Sequence, residues 1–207
     1  SDSLETAISM LEEQIRQGVK NIILTPHYRK GFYFAENKEV TEAFEELKIL
    51  AEQKGLEINL YLGRETTIYD GFEKDLKDGK ILSLAGSKFL LLEFPYDTDT
   101  DIEEFCYKVR LQGYVPVVAH IERYSYYRSL EKVERLKSGG VVVQVNAAPI
   151  VKKSQPGENK FVKKLLKNRL VDIVASDWHS TRNNCFKDAY DKVKEEFLKQ
   201  FGEKKGF

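Results

Sequence analysis

The run Val115-Pro-Val-Val-Ala ends without transition on His120-Ile-Glu-Arg123, and this junction constrains the fold more than any other stretch. Valines in unbroken sequence, with no polar alternation, need both faces covered, as in a buried parallel strand, and Pro116 suits the first residues of such a strand. His120 then stands where a strand leaves the core. In α/β proteins that position, the carboxyl end of a parallel strand, is where chemistry is placed.

The same arrangement recurs along the chain. Leu4, Ile8, Leu11 and Ile15 lie at helical spacing behind an Asp2-to-Glu5 capping pattern, and Gly18 closes an amphipathic helix. Asn21-Ile-Ile-Leu-Thr25 reads as a strand that delivers His27, followed by a loop from Tyr28 to Ala35 rich in basic and aromatic residues. After a helix through Val40, Phe44, Leu47 and Leu50, strands at 58–62 and 88–92 run into Glu65 and Glu93. A helix through Ile102, Phe105 and Val109 leads to the strand at Val115, and a further helix over 130–137 precedes Val141-Val-Val-Gln-Val145 with Asn146 at its tip. A basic helix over 160–167 leads to Val171-Asp-Ile-Val-Ala175, which releases Asp177-Trp-His179 ahead of a final helix at about 186–201. Six strands alternating with helices through short connections predict an α/β fold with parallel βαβ units, in one domain over 1–207. Because a helix comes first, a barrel of this kind is expected to lack its first strand here.

The chemistry follows from what sits at the strand ends. All three histidines of the chain, His27, His120 and His179, lie just past a strand, and Glu65, Glu93 and Asp177 join them at the same face. Each alone is more commonly structural, a hydrogen-bonded histidine or a capping carboxylate. Together they form a donor set of imidazole nitrogen and carboxylate oxygen suited to zinc, manganese or iron, since burying so many carboxylates without cations is costly. Several carboxylates favour more than one ion, an arrangement used mainly to hydrolyse phosphate esters. Arg123 and Arg182, each three residues past a histidine, can reach over this face. Their bland role is an ion pair with Glu122 or another local acid; beside metals a guanidinium fork suits phosphate oxygens. Arg29 and Lys30 are weaker candidates. Phe32, Tyr33 and Phe34 could flank an aromatic substrate or pack on their own domain, and Tyr124, Tyr126 and Tyr127 carry the same two readings.

Charge and cysteine use narrow the setting. Lysine plus arginine and aspartate plus glutamate both total 33, so nothing marks a polyanion-binding surface, and no nucleic-acid partner is expected. No apolar stretch approaches a membrane span, and two isolated cysteines, Cys106 and Cys185, fit a reducing cytoplasmic location.

The segments Thr25-Pro-His27, Gly63-Arg-Glu65, Leu92-Glu-Phe94, Ala119-His-Ile-Glu-Arg-Tyr124, Gln144-Val-Asn146 and Ala175-Ser-Asp-Trp-His179 resemble, in order and spacing, the bacterial PHP-type protein-tyrosine phosphatases. These manganese-dependent enzymes of the polymerase and histidinol phosphatase superfamily accompany capsular and exopolysaccharide biosynthesis. The resemblance implies a distorted (β/α)7 barrel around two or three divalent ions, manganese first, with iron or zinc fitting the same donors. It implies His27, Glu65, Glu93, His120, Asp177 and His179 as metal ligands, and Arg123 and Arg182 as the residues that hold and polarise phosphate. The family's first strand, with a His-x-His pair, would lie upstream of Ser1. The implied reaction is hydrolysis of phosphotyrosine by a metal-activated hydroxide, on a tyrosine kinase that regulates polysaccharide synthesis. Neither cysteine is followed by the five residues and arginine of a cysteine phosphatase. The competing readings are a histidinol-phosphatase-like hydrolase and an inactive kinase-docking module.

Overall fold

The computed structural model describes residues 3–31, 35–155, 157–179 and 184–201, with side chains as far as residue 195. Helix α1 (Leu4–Arg16) is capped by Ser3, whose hydroxyl accepts from the Thr6 backbone N–H at 3.2 Å, so the cap lies one residue later than the Asp2 pattern predicts. Strands β1 (Asn21–Leu24) and β2 (His27–Tyr28) precede α2 (Asn37–Gln53), and β3 (Asn59–Leu62) and β4 (Glu65–Thr67) follow it. A short helix α3 (Phe72–Lys77), absent from the sequence reading, then leads to β5 (Phe89–Glu93), α4 (Ile102–Leu111) and β6 (Val115–Val118). The rest comprises α5 (Leu130–Ser138), β7 (Val142–Asn146), α6 (Ala147–Ile150), α7 (Glu158–Lys167), β8 (Ile173–Ala175) and α8 (Phe186–Phe201).

Every strand pairing is parallel, in the orders β1-β3 and β2-β4-β5-β6-β7-β8. The two sheets are one ladder with a break. Asn21 pairs with Asn59 and His27 with Glu65, the same offset, so each of the first two expected strands is a single path interrupted at Thr25-Pro26 and Gly63-Arg64. Proline has no N–H for a ladder. Gly63 is required by close approach, since a Cβ there would lie 2.8 Å from Leu84 Cδ2 and 3.1 Å from its Cα. The interruption turns the ends of these strands, and it delivers His27 and Glu65 side by side.

In a flat sheet β2 and β8 would stand about 24 Å apart, at about 4.8 Å per strand. Instead, a side chain on β2 meets one just past β8, with His27 Nε2 2.9 Å from His179 Nε2. The sheet is therefore curled. The Val115 strand shows how the curl is filled: Val118 joins the main core under the helices, whereas Val117 packs inside with Leu91 and Ala119, and both valines are fully buried. A separate small core, built on Ile8, Leu11, Leu47 and Ala51, joins α1 to α2.

Candidate metal centre

The curl brings the strand exits together. His27, Glu65 and Glu93 each present a ligand atom, all within 4.8 Å of one another. His120 Nε2 lies 2.8 Å from Glu65 Oε1 and 3.5 Å from Glu93 Oε1. His179 reaches His27 as described, and its Nδ1 stands 3.6 Å from Asp177 Oδ1. All six residues expected at the site from sequence thus form one contiguous cluster. First-row metals bind such atoms at about 2.0–2.2 Å, so donors on one ion are separated by no more than about 4.4 Å. The 4.8 Å within which the trio lies is slightly wider than that limit, and the donor types, all nitrogen and oxygen, suit a hard or borderline divalent cation.

The backbone is bent to achieve this. His120 and Asp177 have φ of 31° and 45°, the left-handed region that costs energy for any residue but glycine. At His120 the turn opens the helical turn Ile121–Arg123, which swings Arg123 back over the site. Below it, Tyr124 is fully buried; its oxygen accepts from the Phe94 backbone N–H at 3.0 Å and lies 3.4 Å from His120 Nδ1, leaving Nε2 aimed at the carboxylates. Partners of this kind fix the orientation of a ligand imidazole.

Glu65 and Glu93 are both buried. Burial pushes the Glu93 carboxyl up, but hydrogen bonds from Thr67 Oγ1 at 2.5 Å and from the Tyr96 hydroxyl, with the nearby histidines, outweigh it and hold the group below its ordinary range. Glu93 therefore stays ionised near neutral pH. Burial, together with that bond to Glu93, keeps the Tyr96 hydroxyl protonated as a donor.

Arg123 does not pair with Glu122. Its Nη2 donates to Asp177 Oδ2 at 2.6 Å, and its Nη1 reaches the Tyr96 oxygen at 3.5 Å. Burial works against the guanidinium charge, and Asp177 and Tyr96 more than offset that. Asp177 Oδ2 is shared with Asn146, whose Nδ2 donates at 2.7 Å, while the Asn146 backbone N–H donates to Glu122 Oε1 at 3.1 Å. Asn146, Tyr96 and Thr67 are therefore site residues with no role in the sequence reading. Asn146 could have been found from its place at the one strand exit that carries no histidine or acid.

Three of the weaker candidates, Lys30, Tyr126 and Tyr127, have structural partners. Lys30 lies 3.5 Å from Asp75 and over the Tyr69 ring, Tyr126 donates to the Pro95 carbonyl, and Tyr127 donates to Glu103. Arg64, only 2% exposed, donates to the carbonyls of His27 and Ala35 and to Asn37 Oδ1, tying the loop after His27 to the start of α2. Arg182, Phe32, Tyr33 and Phe34 lie outside the described residues.

Comparison with known proteins gives a consistent result. A family model described as "Capsular polysaccharide synthesis, CpsB/CapC" matches residues 1–205. The chain is 32% identical over 182 residues to tyrosine-protein phosphatase YwqE of Bacillus subtilis, covering 87% of this chain and 72% of that protein. It is 34% identical over 215 residues to tyrosine-protein phosphatase CpsB of Streptococcus pneumoniae, covering 98% and 86%. A solved structure from a study of YwqE and CpsB as "unique metal-dependent tyrosine phosphatases" superposes with a TM-score of 0.86 at 29% identity, covering 98% of this chain and 82% of that one.

Proposed function

The chain belongs to the CpsB/CapC family of capsular polysaccharide synthesis proteins, and from that premise we propose that it is a metal-dependent protein-tyrosine phosphatase. The observation that carries the reading is the convergence of His27, Glu65, Glu93, His120, Asp177 and His179 on one face, with Arg123 seated against Asp177. These six residues would hold two or three divalent ions, with manganese as the native metal. Bound there, such ions supply positive charge to the phosphoryl oxygens and lower the pKa of water.

The chain's own groups do the rest. Arg123 is held from two sides and presents its guanidinium at the rim, where it can fork onto two phosphoryl oxygens as charge develops. By the family resemblance Arg182 would share the holding of phosphate with Arg123. Ionised Glu93 adds negative charge to the floor, and Tyr124 and Asn146 fix the direction of His120 and Asp177. In the reaction the water oxygen bonds to phosphorus, the bond from phosphorus to the tyrosyl oxygen breaks, and tyrosine leaves with a proton. We take the physiological substrate to be a tyrosine kinase that governs capsular or exopolysaccharide synthesis, and the location to be cytoplasmic. No described helix is long and apolar enough to cross a membrane. We take the fold to be a distorted (β/α)7 barrel, a reading that the sequential strand order and curl support, with 1–207 as one domain.

The test is turnover of a phosphotyrosyl peptide and of histidinol phosphate by protein stripped with a chelator, before and after manganese is returned. The expected result is manganese-dependent release of phosphate, with the peptide preferred. Preference for histidinol phosphate, or turnover unaffected by stripping, would overturn the reading.

A further inference from the structure

Tyr96 is 41% exposed, although it stands in the middle of the site. One face of its ring stacks on Tyr124, with centroids 5.8 Å apart and planes 21° from parallel. Its hydroxyl is tied to Glu93 and lies within reach of Arg123. The ring is thus fixed from below and at its tip, and such a preorganised aromatic surface costs little to use in binding.

That ring borders a cavity of about 690 Å³, which it shares with Arg123, Ala148, Pro149, Lys153 and Ser154. The space differs from the larger interior cavity bordered by His27, Glu65, Asp177 and His179. Arg123 links the two, because it lines the first and pairs with Asp177 in the second. A phosphate seated on Arg123 therefore has room on this side for the group esterified to it. The volume lies within the range that encloses ligands of many atoms, well beyond what phosphate alone requires. Tyr96 and Ala148 offer apolar surface, while Glu122, Asn146, Lys153, Gln155 and Glu158 make the rest of the lining polar and of mixed charge.

We infer that Tyr96 is the stacking platform for the aromatic leaving group, and that this cavity seats the peptide around the phosphotyrosine. The inference rests on the phosphatase reading and adds to it the surface that selects an aryl ester over an alkyl one.

Calorimetry on manganese-loaded protein with phenylphosphonate and methylphosphonate tests it without turnover. Wild type binds the phenyl compound more tightly. Tyr96→Phe keeps the ring and preserves that preference, whereas Tyr96→Leu reduces it about three- to ten-fold, the size of an aromatic pair contact. Ser154→Trp, at the exposed rim, weakens a phosphotyrosyl peptide about ten-fold relative to phenylphosphonate. An unchanged preference in Tyr96→Leu overturns the inference, as does an equal loss in Tyr96→Phe, which would assign the effect to the hydroxyl. An aryl preference in a protein that hydrolyses no phosphotyrosine would instead refute the phosphatase reading and leave the aryl site standing. Turnover without the preference would refute this inference alone.

Discussion

Two sides of the candidate metal centre use the same donor chemistry in different mechanical settings. On one side Glu65, Glu93 and His120 are 4%, 8% and 1% exposed, stand at the ends of central strands, and are oriented by Thr67, Tyr96 and Tyr124. On the other, His27 opens the two-residue strand β2, and the His179 side chain is 59% exposed beyond the three-residue strand β8. The first group is fixed by the core whether or not an ion binds. The second depends on what it holds, because its strands are at the ends of the sheet order and its backbone has little packing to lock it. Asn146 is the seam, since it sits on a central strand and holds Asp177 of the outer group.

This contrast predicts a graded response to mutation. His120→Ala should have the largest effect: activity falls by more than about 100-fold through loss of a metal donor, and stability falls by about 1–3 kcal/mol because two buried carboxylates lose a partner. Steady-state kinetics and chemical denaturation would read both losses. If stability were unchanged, the fixed side would not be fixed by packing.

Metal itself comes next. At an ion concentration 100 times its Kd, binding stabilises by about 2.7 kcal/mol, which for a chain of this size raises Tm by roughly 5–10 °C. In His179→Ala the metal-free Tm should stay within about 2 °C of wild type while much of the manganese-induced rise disappears. A large drop in the metal-free Tm would erase the distinction between the two sides. Asn146→Ala should lower metal affinity by about 10- to 100-fold with the donor set intact, measured by competition with a chelating dye. No change would mean that Asp177 is positioned without it.

The smallest effect lies beside the outer group. Asp75 accepts from Tyr69 and Lys80, and Lys30, in the loop after His27, lies close to it; these hold its carboxyl at about 2, below the ordinary 3.8. Because the folded value is depressed, the stability it contributes is present above 3.8 and is lost as pH falls toward 2. Thermal melts of Asp75→Asn and wild type should therefore differ at neutral pH and converge in that acid window. Parallel curves throughout would show that the contact is unimportant to the fold.

Much of this was legible in sequence, for a physical reason. Buried parallel strands need continuous apolar runs, and a histidine or acid can follow such a run only where the strand leaves the core, so His27, Glu65, Glu93, His120, Asp177 and His179 announced their shared face. What stayed hidden depended on distance between elements. The interruption of the first two strands rests on Leu84 crowding Gly63, a contact across 21 residues of sequence that no local pattern reports. Arg123 had Glu122 as a near neighbour, yet the turn that starts at His120 carries it to Asp177 instead. Tyr96 drew no attention in the sequence because its stacking on Tyr124 and its bond to Glu93 exist only in the folded chain.

The most direct test of the metal centre is the number of manganese ions bound per chain at equilibrium, counted by elemental analysis for wild type, His120→Ala and His27→Ala. Convergence of the strand exits on a multi-ion site predicts two or three ions in wild type and at least one fewer in each variant. A wild-type chain that binds none, or a count that neither substitution alters, would contradict it.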